Sequence, residues 1–193
     1  MTDLERMLST LSTTPPTDLE RDTVVRVGAA DLAARTDSPI GPVWIAWSTR
    51  GITALSPLFS TSTFDDFMES HRRATYEATA LPLDLLESVS GALESGDSSA
   101  VSVDMTGLGA FQKSVLETCA TIPVGQLRPY GWIAAEIDNP GSVRAVGTAL
   151  GHNPIPLIVP CHRVVRSDGS VGNYAFGPEM KHDLLVREGA LLG

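Results

Sequence analysis

Cysteine is scarce in this chain: Cys119 and Cys161 are the only two in 193 residues. They make no framework of spaced pairs, which excludes a disulfide-stapled scaffold. No C-x-x-C pair and no second Cys/His cluster accompanies them, so no metal and no cofactor is expected. Long apolar runs are missing too, since no window approaches the roughly 18 uninterrupted apolar residues of a membrane span. The opening stretch MTDLERMLSTLSTTPP lacks the basic and apolar regions of a secretory signal. These absences predict a cytoplasmic chain with reduced thiols and no membrane partner. Positive charge is short as well, with 14 Lys and Arg against 23 Asp and Glu, a net charge of −9. Spread evenly, that balance would oppose nonspecific nucleic-acid binding, because phosphate affinity comes from cations that displace counterions.

The charge is not spread evenly. Residues 1–104 carry 16 acidic and 7 basic side chains, whereas residues 105–193 carry 7 of each. The whole surplus sits in the first part, and the second can hold a local basic face. The asymmetry points to two units, 21–104 and 105–193, behind a mobile arm over 1–20 rich in Ser, Thr and Pro. With 42% hydrophobic residues the chain can bury a sizeable core.

In the first unit, TVVRV, GPVWIAWS and ITAL are β-branched or aromatic runs punctuated by Gly and Pro, predicting a small antiparallel sheet. PLDLLESVSGALES spaces Leu85, Leu86, Val89, Ala92 and Leu93 as an amphipathic helix does. In the second unit, GAFQKSVLETCATI sets Phe111, Val115, Cys119 and Ile122 on one helical stripe, so Cys119 is expected to be a small buried apolar residue. PVGQLRP reads as a turn and YGWIAAEI as a short helix. Asn139 then offers an N-cap with Pro140 at the first helical position of a helix running to about Leu150. Helix, turn, short helix, tight turn, helix is the outline of a helix-turn-helix. Pro154, Pro156 and Pro160 make the next segment a stiff connector. VVRSDGSVGNY suggests a hairpin or wing turning at Asp168-Gly169, and PEMKHDLLVREGA a closing helix.

The connector carries the chemistry. In IPLIVPCHRVV, Cys161 sits between Pro160 and His162. A thiol becomes a nucleophile when a cation, base or helix N-terminus populates its thiolate. His162 is adjacent, yet successive side chains of an extended segment point apart, so the two need a turn or a bridging water. Glu188 is one of several candidates to orient the imidazole. The alternative for the pair is two core or capping residues.

NPIPLIVPCHRVV, preceded by VRAVGTALGH and followed by GSVGNYAFG, resembles the active-site region of the O6-alkylguanine-DNA alkyltransferases, and the similarity extends faintly back to Asp37. The resemblance implies a ribonuclease-H-like α/β unit followed by a winged helix-turn-helix unit. It implies single-turnover transfer of an alkyl group from guanine O6 in double-stranded DNA to Cys161, with no obligate protein partner. His162 would take the thiol proton through a water, Glu188 would polarise the imidazole, and Asn153 would hold the active-site turn. Tyr130 would favour nucleotide flipping and supply a proton toward N3 of the departing guanine. Arg144, 17 positions before Cys161, would fill the gap left by the extruded base. Pro156 and Tyr174 would line the pocket, with backbone groups of Val164 and Ala175 near the base edge. Phe176 stands where relatives carry glycine or an aromatic, and should narrow the pocket so that methyl transfers faster than benzyl. Because Arg144 is the only cation on its helix, phosphate contact is expected from Arg128, Arg163, Arg166, Lys181 or backbone amides at helix N-termini. Other readings stay open: a noncatalytic binder of alkylated DNA, a methylation-sensing transcription regulator, and alkyl transfer from a non-DNA substrate.

Overall fold

The structure is a computed structural model that describes residues 19–38, 40–71 and 73–192. The expected arm therefore lies mostly outside the described residues. The chain begins with helix α1 (Leu19–Arg26), followed by strands β1 (Asp31–Thr36), β2 (Val43–Ser48) and β3 (Gly51–Pro57). Helix α2 (Phe64–Ser70), strand β4 (Thr75–Glu77) and helix α3 (Leu83–Ser95) complete the first part.

One sequence expectation fails at once. TVVRV is not a strand, since residues 23–26 lie in α1, which buries no side chain. β-propensity reflects packing on a pleated, half-buried surface, and here no such surface is met. Glu20 and Asp22 in the first turn and Arg26 in the last match the helix dipole instead. The missing strand is DLAART, which alternates too weakly to stand out.

The sheet runs in the order β3-β2-β1-β4. Its three long strands are antiparallel, as expected, but β4 pairs parallel to β1, so the sheet is mixed. All six residues of β2 are buried because both faces are covered. Successive side chains alternate faces: Trp44 and Ala46 pack with Phe67 of α2, while Val43, Ile45 and Trp47 join the larger core. A capping box fixes the start of α2, with Thr63 Oγ1 accepting from Asp66 N at 3.1 Å and Asp66 Oδ2 accepting from Thr63 N at 3.0 Å.

The second part is helical: α4 (Ala110–Ala120), β5 (Arg128–Pro129), α5 (Tyr130–Glu136), a 3-10 turn at Pro140–Ser142, α6 (Val143–Gly151), a second 3-10 turn at Cys161–Arg163, β6 (Val164–Val165) and α7 (Pro178–Arg187). Asn139 precedes the first 3-10 turn but makes no side-chain cap. Its carbonyl accepts from the Ser142 hydroxyl instead, at 2.7 Å. Val164–Val165 forms no hairpin strand with the segment after it and pairs in parallel with Arg128–Pro129. The expected wing is a tight turn, with Gly169 N donating to Arg166 O at 3.0 Å.

The larger core crosses from the sheet into the helices. It joins Val43, Ile45 and Ile52 to Val115, Leu116, Ile133, Val146 and Ile158. The outer edge of β3 is also filled by the chain itself: Ile52 N donates to Ser102 O at 2.9 Å, and Leu55 N to Pro154 O at 2.8 Å. The sheet thus anchors the segment that carries the thiol. On its far side Asp31, fully buried, binds His71 Nε2 at 2.9 Å and Arg73 Nη2 at 2.7 Å. Among the described residues no helix is long and apolar enough to cross a membrane.

Candidate active site

Helix α6 ends at Gly151, and the prolines that follow forbid its continuation. The chain folds into a turn instead. Asn153 Oδ1 accepts from Ile155 N at 3.0 Å, and Val159 N donates to Ile155 O at 2.9 Å. Leu157, at φ 73°, occupies the left-handed region that non-glycine residues avoid. Such a residue costs of order 1 kcal/mol or more and persists only where its surroundings fix it. The Asn153 amide then spans the turn, donating to Val159 O at 2.9 Å and to Cys161 Sγ at 3.2 Å. Both thiols are buried, and Cys119 lies within α4 as the expected core residue.

The 3-10 turn at Cys161–Arg163 is what an extended reading of the segment misses, and it sends His162 inward. His162 Nε2 lies 2.9 Å from Glu188 Oε1 at the end of α7. Glu188 also accepts from Arg163, at 2.8 Å from both Nε and Nη2. The remaining Arg163 donors reach Ile122 O and Gly96 O, each at 2.6 Å. Gly96 closes α3 at φ 77°, and a Cβ there would stand 2.9 Å from Glu188 Oε1. One carboxylate is therefore shared by an imidazole and a guanidinium, and the end of a helix from the first unit closes over them.

This arrangement sets the protonation states. Burial alone would raise the Glu188 carboxyl, but the hydrogen bonds from His162 and Arg163 outweigh it and hold it at about 2. Burial, with the nearby charges of Arg163 and Lys181, lowers His162 against the pull of Glu188, so the imidazole is neutral. With Glu188 ionised, Nε2 must carry the proton, and the buried Nδ1, which has no protein partner, keeps its lone pair. Burial pushes the Cys161 thiol up, against the Asn153 amide and the Lys181 ammonium. The same burial brings Lys181 down to about 8.

Both shifts act in the same direction on stability. The unfolded chain protonates its histidine near 6.5 while folded His162 resists, so stability falls as pH drops below 6.5. Glu188 adds stability above 4.5, lost progressively as pH falls toward 2. Denaturant midpoints should decline from pH 6.5 and more steeply below 4.5; a flat profile between pH 7 and 4 would contradict this account.

The other expected site residues divide into those brought to the thiol and those drawn elsewhere. Tyr130 begins α5 and lies across α6 at Gly147, whose Cβ would come 3.9 Å from the ring. Arg144 is exposed one turn earlier on α6. Arg166 is exposed, beside Gly172 and the Tyr130 hydroxyl. The Tyr174 ring meets His162 edge-on at 6.4 Å, and Phe176 meets Tyr174 at 5.4 Å. Pro156 is buried, and Ala175 exposed.

Three expectations need correction. Lys181 cannot reach phosphate, because it is fully buried and its ammonium donates to Val164 O at 2.5 Å. Arg163, 3% exposed, is closed to phosphate by the four protein acceptors named above. The Val164 backbone is already engaged, its amide donating to Cys161 O and its carbonyl accepting from Lys181. Arg128 keeps only part of its reach: it donates to Leu127 O and Gln126 Oε1, and it lies over the Trp132 ring at 5.5 Å.

Residues 110–190 match the family model of the 6-O-methylguanine DNA methyltransferase, DNA binding domain. A methylated-DNA–protein-cysteine methyltransferase of Mycobacterium tuberculosis H37Rv is 39% identical over 153 residues, covering 79% of this chain and 88% of that protein. Its namesake from Shigella flexneri is 48% identical over 87 residues, 45% of this chain and only about half, 51%, of that protein. Among solved structures, M. tuberculosis OGT in complex with DNA superposes with TM-score 0.67 at 34% identity, over 83% of this chain and 93% of that one. The O6-methylguanine-DNA methyltransferase of Pyrococcus kodakaraensis gives 0.62 at 30%, over 82% and 99%.

Proposed function

The chain belongs to the O6-methylguanine DNA methyltransferase family, and from that premise we propose that it repairs double-stranded DNA by moving a methyl or small alkyl group from guanine O6 to its own Cys161. The observation that carries this reading is the set Asn153, Cys161 and His162 on one proline-bounded turn, with Glu188 at the end of α7 bonded to His162. A noncatalytic binder of alkylated DNA has no use for a thiol held against an amide donor.

The chemistry is a displacement at carbon. The thiol proton passes to Nδ1 of His162, through a bridging water, while Glu188 stabilises the imidazolium that forms. The thiolate sulfur bonds the alkyl carbon as the carbon–O6 bond breaks, and the electron pair leaves with guanine. Tyr130 supplies the proton that neutralises the departing base. The thioether has no leaving group, so each molecule reacts once. The target base is unreachable inside a duplex, and extruding it costs a few kcal/mol. Arg144, exposed on α6, fills the gap it leaves. Pro156, Tyr174 and Phe176 wall the pocket, with the Ala175 backbone at the base edge. Phosphate contact falls to Arg166 and, where it is free, Arg128.

We assign the mixed sheet with its helices to a ribonuclease-H-like unit over 21–104, and α4 to α7 to a winged helix-turn-helix unit over 105–193. The family match over 110–190 supports that division. Mixing the protein with an equimolar O6-methylguanine duplex should add one CH2 to the Cys161 peptide by mass spectrometry. An unchanged peptide, or methyl found on Cys119, would sink the reading.

A further inference from the structure

Phe59 is placed unlike its near neighbours in the chain. Its neighbours Leu58 and Phe64 turn into the Trp44–Phe67 core. Phe59 stays 61% exposed, and its ring leans on Phe176 of the second unit, edge to face, with centroids 5.8 Å apart at 87°. Contacts of the same kind run inward from there, Phe176 to Tyr174 at 5.4 Å and Tyr174 to His162 at 6.4 Å. A single file of aromatic rings thus links a surface turn of the first unit to the imidazole beside Cys161.

The two ends of the Phe59–Phe176 contact are not equally held. Phe59 sits on a turn fixed by Ser60 N and Thr61 N, which donate to Pro57 O at 2.9 and 3.1 Å. Leu58 N donates to Pro42 O at 2.9 Å, and the Thr61 hydroxyl to Ser56 Oγ at 2.8 Å. Phe176 also lies on a turn, but a single backbone hydrogen bond closes it, Gly177 N to Tyr174 O at 3.1 Å. The Phe59 turn, held by the four hydrogen bonds just named, is the firmer partner, and the pocket segment is the one it supports.

We propose that Phe59 is a positioning residue for substrate selection: by holding Phe176 against Tyr174, it limits the size of the O6 substituent the pocket accepts. This inference rests on the alkyl-transfer reading. Phe59 touches neither the thiol nor its proton relay, so methyl transfer has little need of it. A bulky substituent, by contrast, must displace Phe176, and the Phe59 ring resists that displacement.

The measurement is the ratio of transfer rates from O6-benzylguanine and O6-methylguanine in the same duplex. An aromatic pair contributes about 0.5–1.5 kcal/mol, equivalent to roughly twofold to tenfold. Phe59→Ala should raise the benzyl-to-methyl ratio by that factor, with the methyl rate held within about twofold. Phe59→Tyr, which keeps the edge-to-face contact, should keep the wild-type ratio. In a Phe176→Gly background, Phe59→Ala should add nothing, because the ring it supports is gone. An unchanged ratio, a parallel fall of both rates, or a Phe59→Ala effect that survives without Phe176 would each overturn the inference. A wild-type protein that gains no alkyl group at Cys161 would overturn the functional reading itself, and this inference with it. An active wild type with an unmoved ratio overturns the inference alone.

Discussion

Glu188→Ala should lower stability by about 3–5 kcal/mol, the cost of leaving one member of a buried ion pair without its partner. Arg163 supplies two of the three hydrogen bonds on that carboxylate and is itself buried. Its contacts with Ile122 O and Gly96 O would remain, but neither carries a charge. Small domains have only about 5–15 kcal/mol in hand, so this variant sits near the folding threshold. Glu188→Gln keeps the shape and separates the roles. An amide cannot stabilise an imidazolium as a carboxylate does, so alkyl transfer should slow by about a hundredfold or more, within the range of a lost acid–base group. Its denaturant midpoint should also lose the decline below pH 4.5 that Glu188 produces. A Glu188→Gln protein with wild-type rate and wild-type acid profile would remove Glu188 from the chemistry.

Asn153→Ala should be the second most damaging change. The side chain closes the turn with three hydrogen bonds; when it goes, Ile155 N loses its partner, while Val159 O keeps only the Cys161 amide, 2.8 Å away. A buried orphan costs about 1–3 kcal/mol, and a loss of about that size is expected. The rate should fall as well, because the Asn153 amide opposes the burial that raises the Cys161 thiol. Asn153→Asp distinguishes the two effects. It restores the acceptor for Ile155 N but sets a negative oxygen beside the sulfur, so it should be more stable than the alanine variant and no faster. The rate–pH curves of both should move to higher pH. Wild-type rates in both variants would show that the amide holds the backbone and leaves the sulfur alone.

Most of the helical part was legible because its signals are local. Apolar spacing marked α3 and α4, and the three prolines ended α6 where the structure ends it. The sheet was harder to read. DLAART became β1 only through its two neighbours in the sheet, and TVVR became helix because nothing packs on it. The site shows the same division. Cys161 and His162 stood out through sequence context, Glu188 as one of several candidates that the resemblance then singled out, and Asn153 through resemblance alone. The misplacement of Arg163 and Lys181 shows what sequence context omits: a cation next to a motif looks solvent-facing until a long-range partner is found. For Arg163 those partners are Gly96, Ile122 and Glu188, scattered over more than 90 residues of chain.

A protein that reacts once must wait in its folded form until a lesion arrives, and an exposed sheet edge is a hazard during that wait, as unpaired amides invite pairing with another chain. Here the outer edge of β3 is occupied by residues 102–104 and Pro154, and the opposite edge strand, β4, is only three residues long. The same hydrogen bonds that moor the reactive turn to the sheet leave little edge on which copies of the chain could assemble. Resistance to aggregation and retention of the armed thiol are therefore one property of this fold, and whatever loosens Pro154 from Leu55 erodes both.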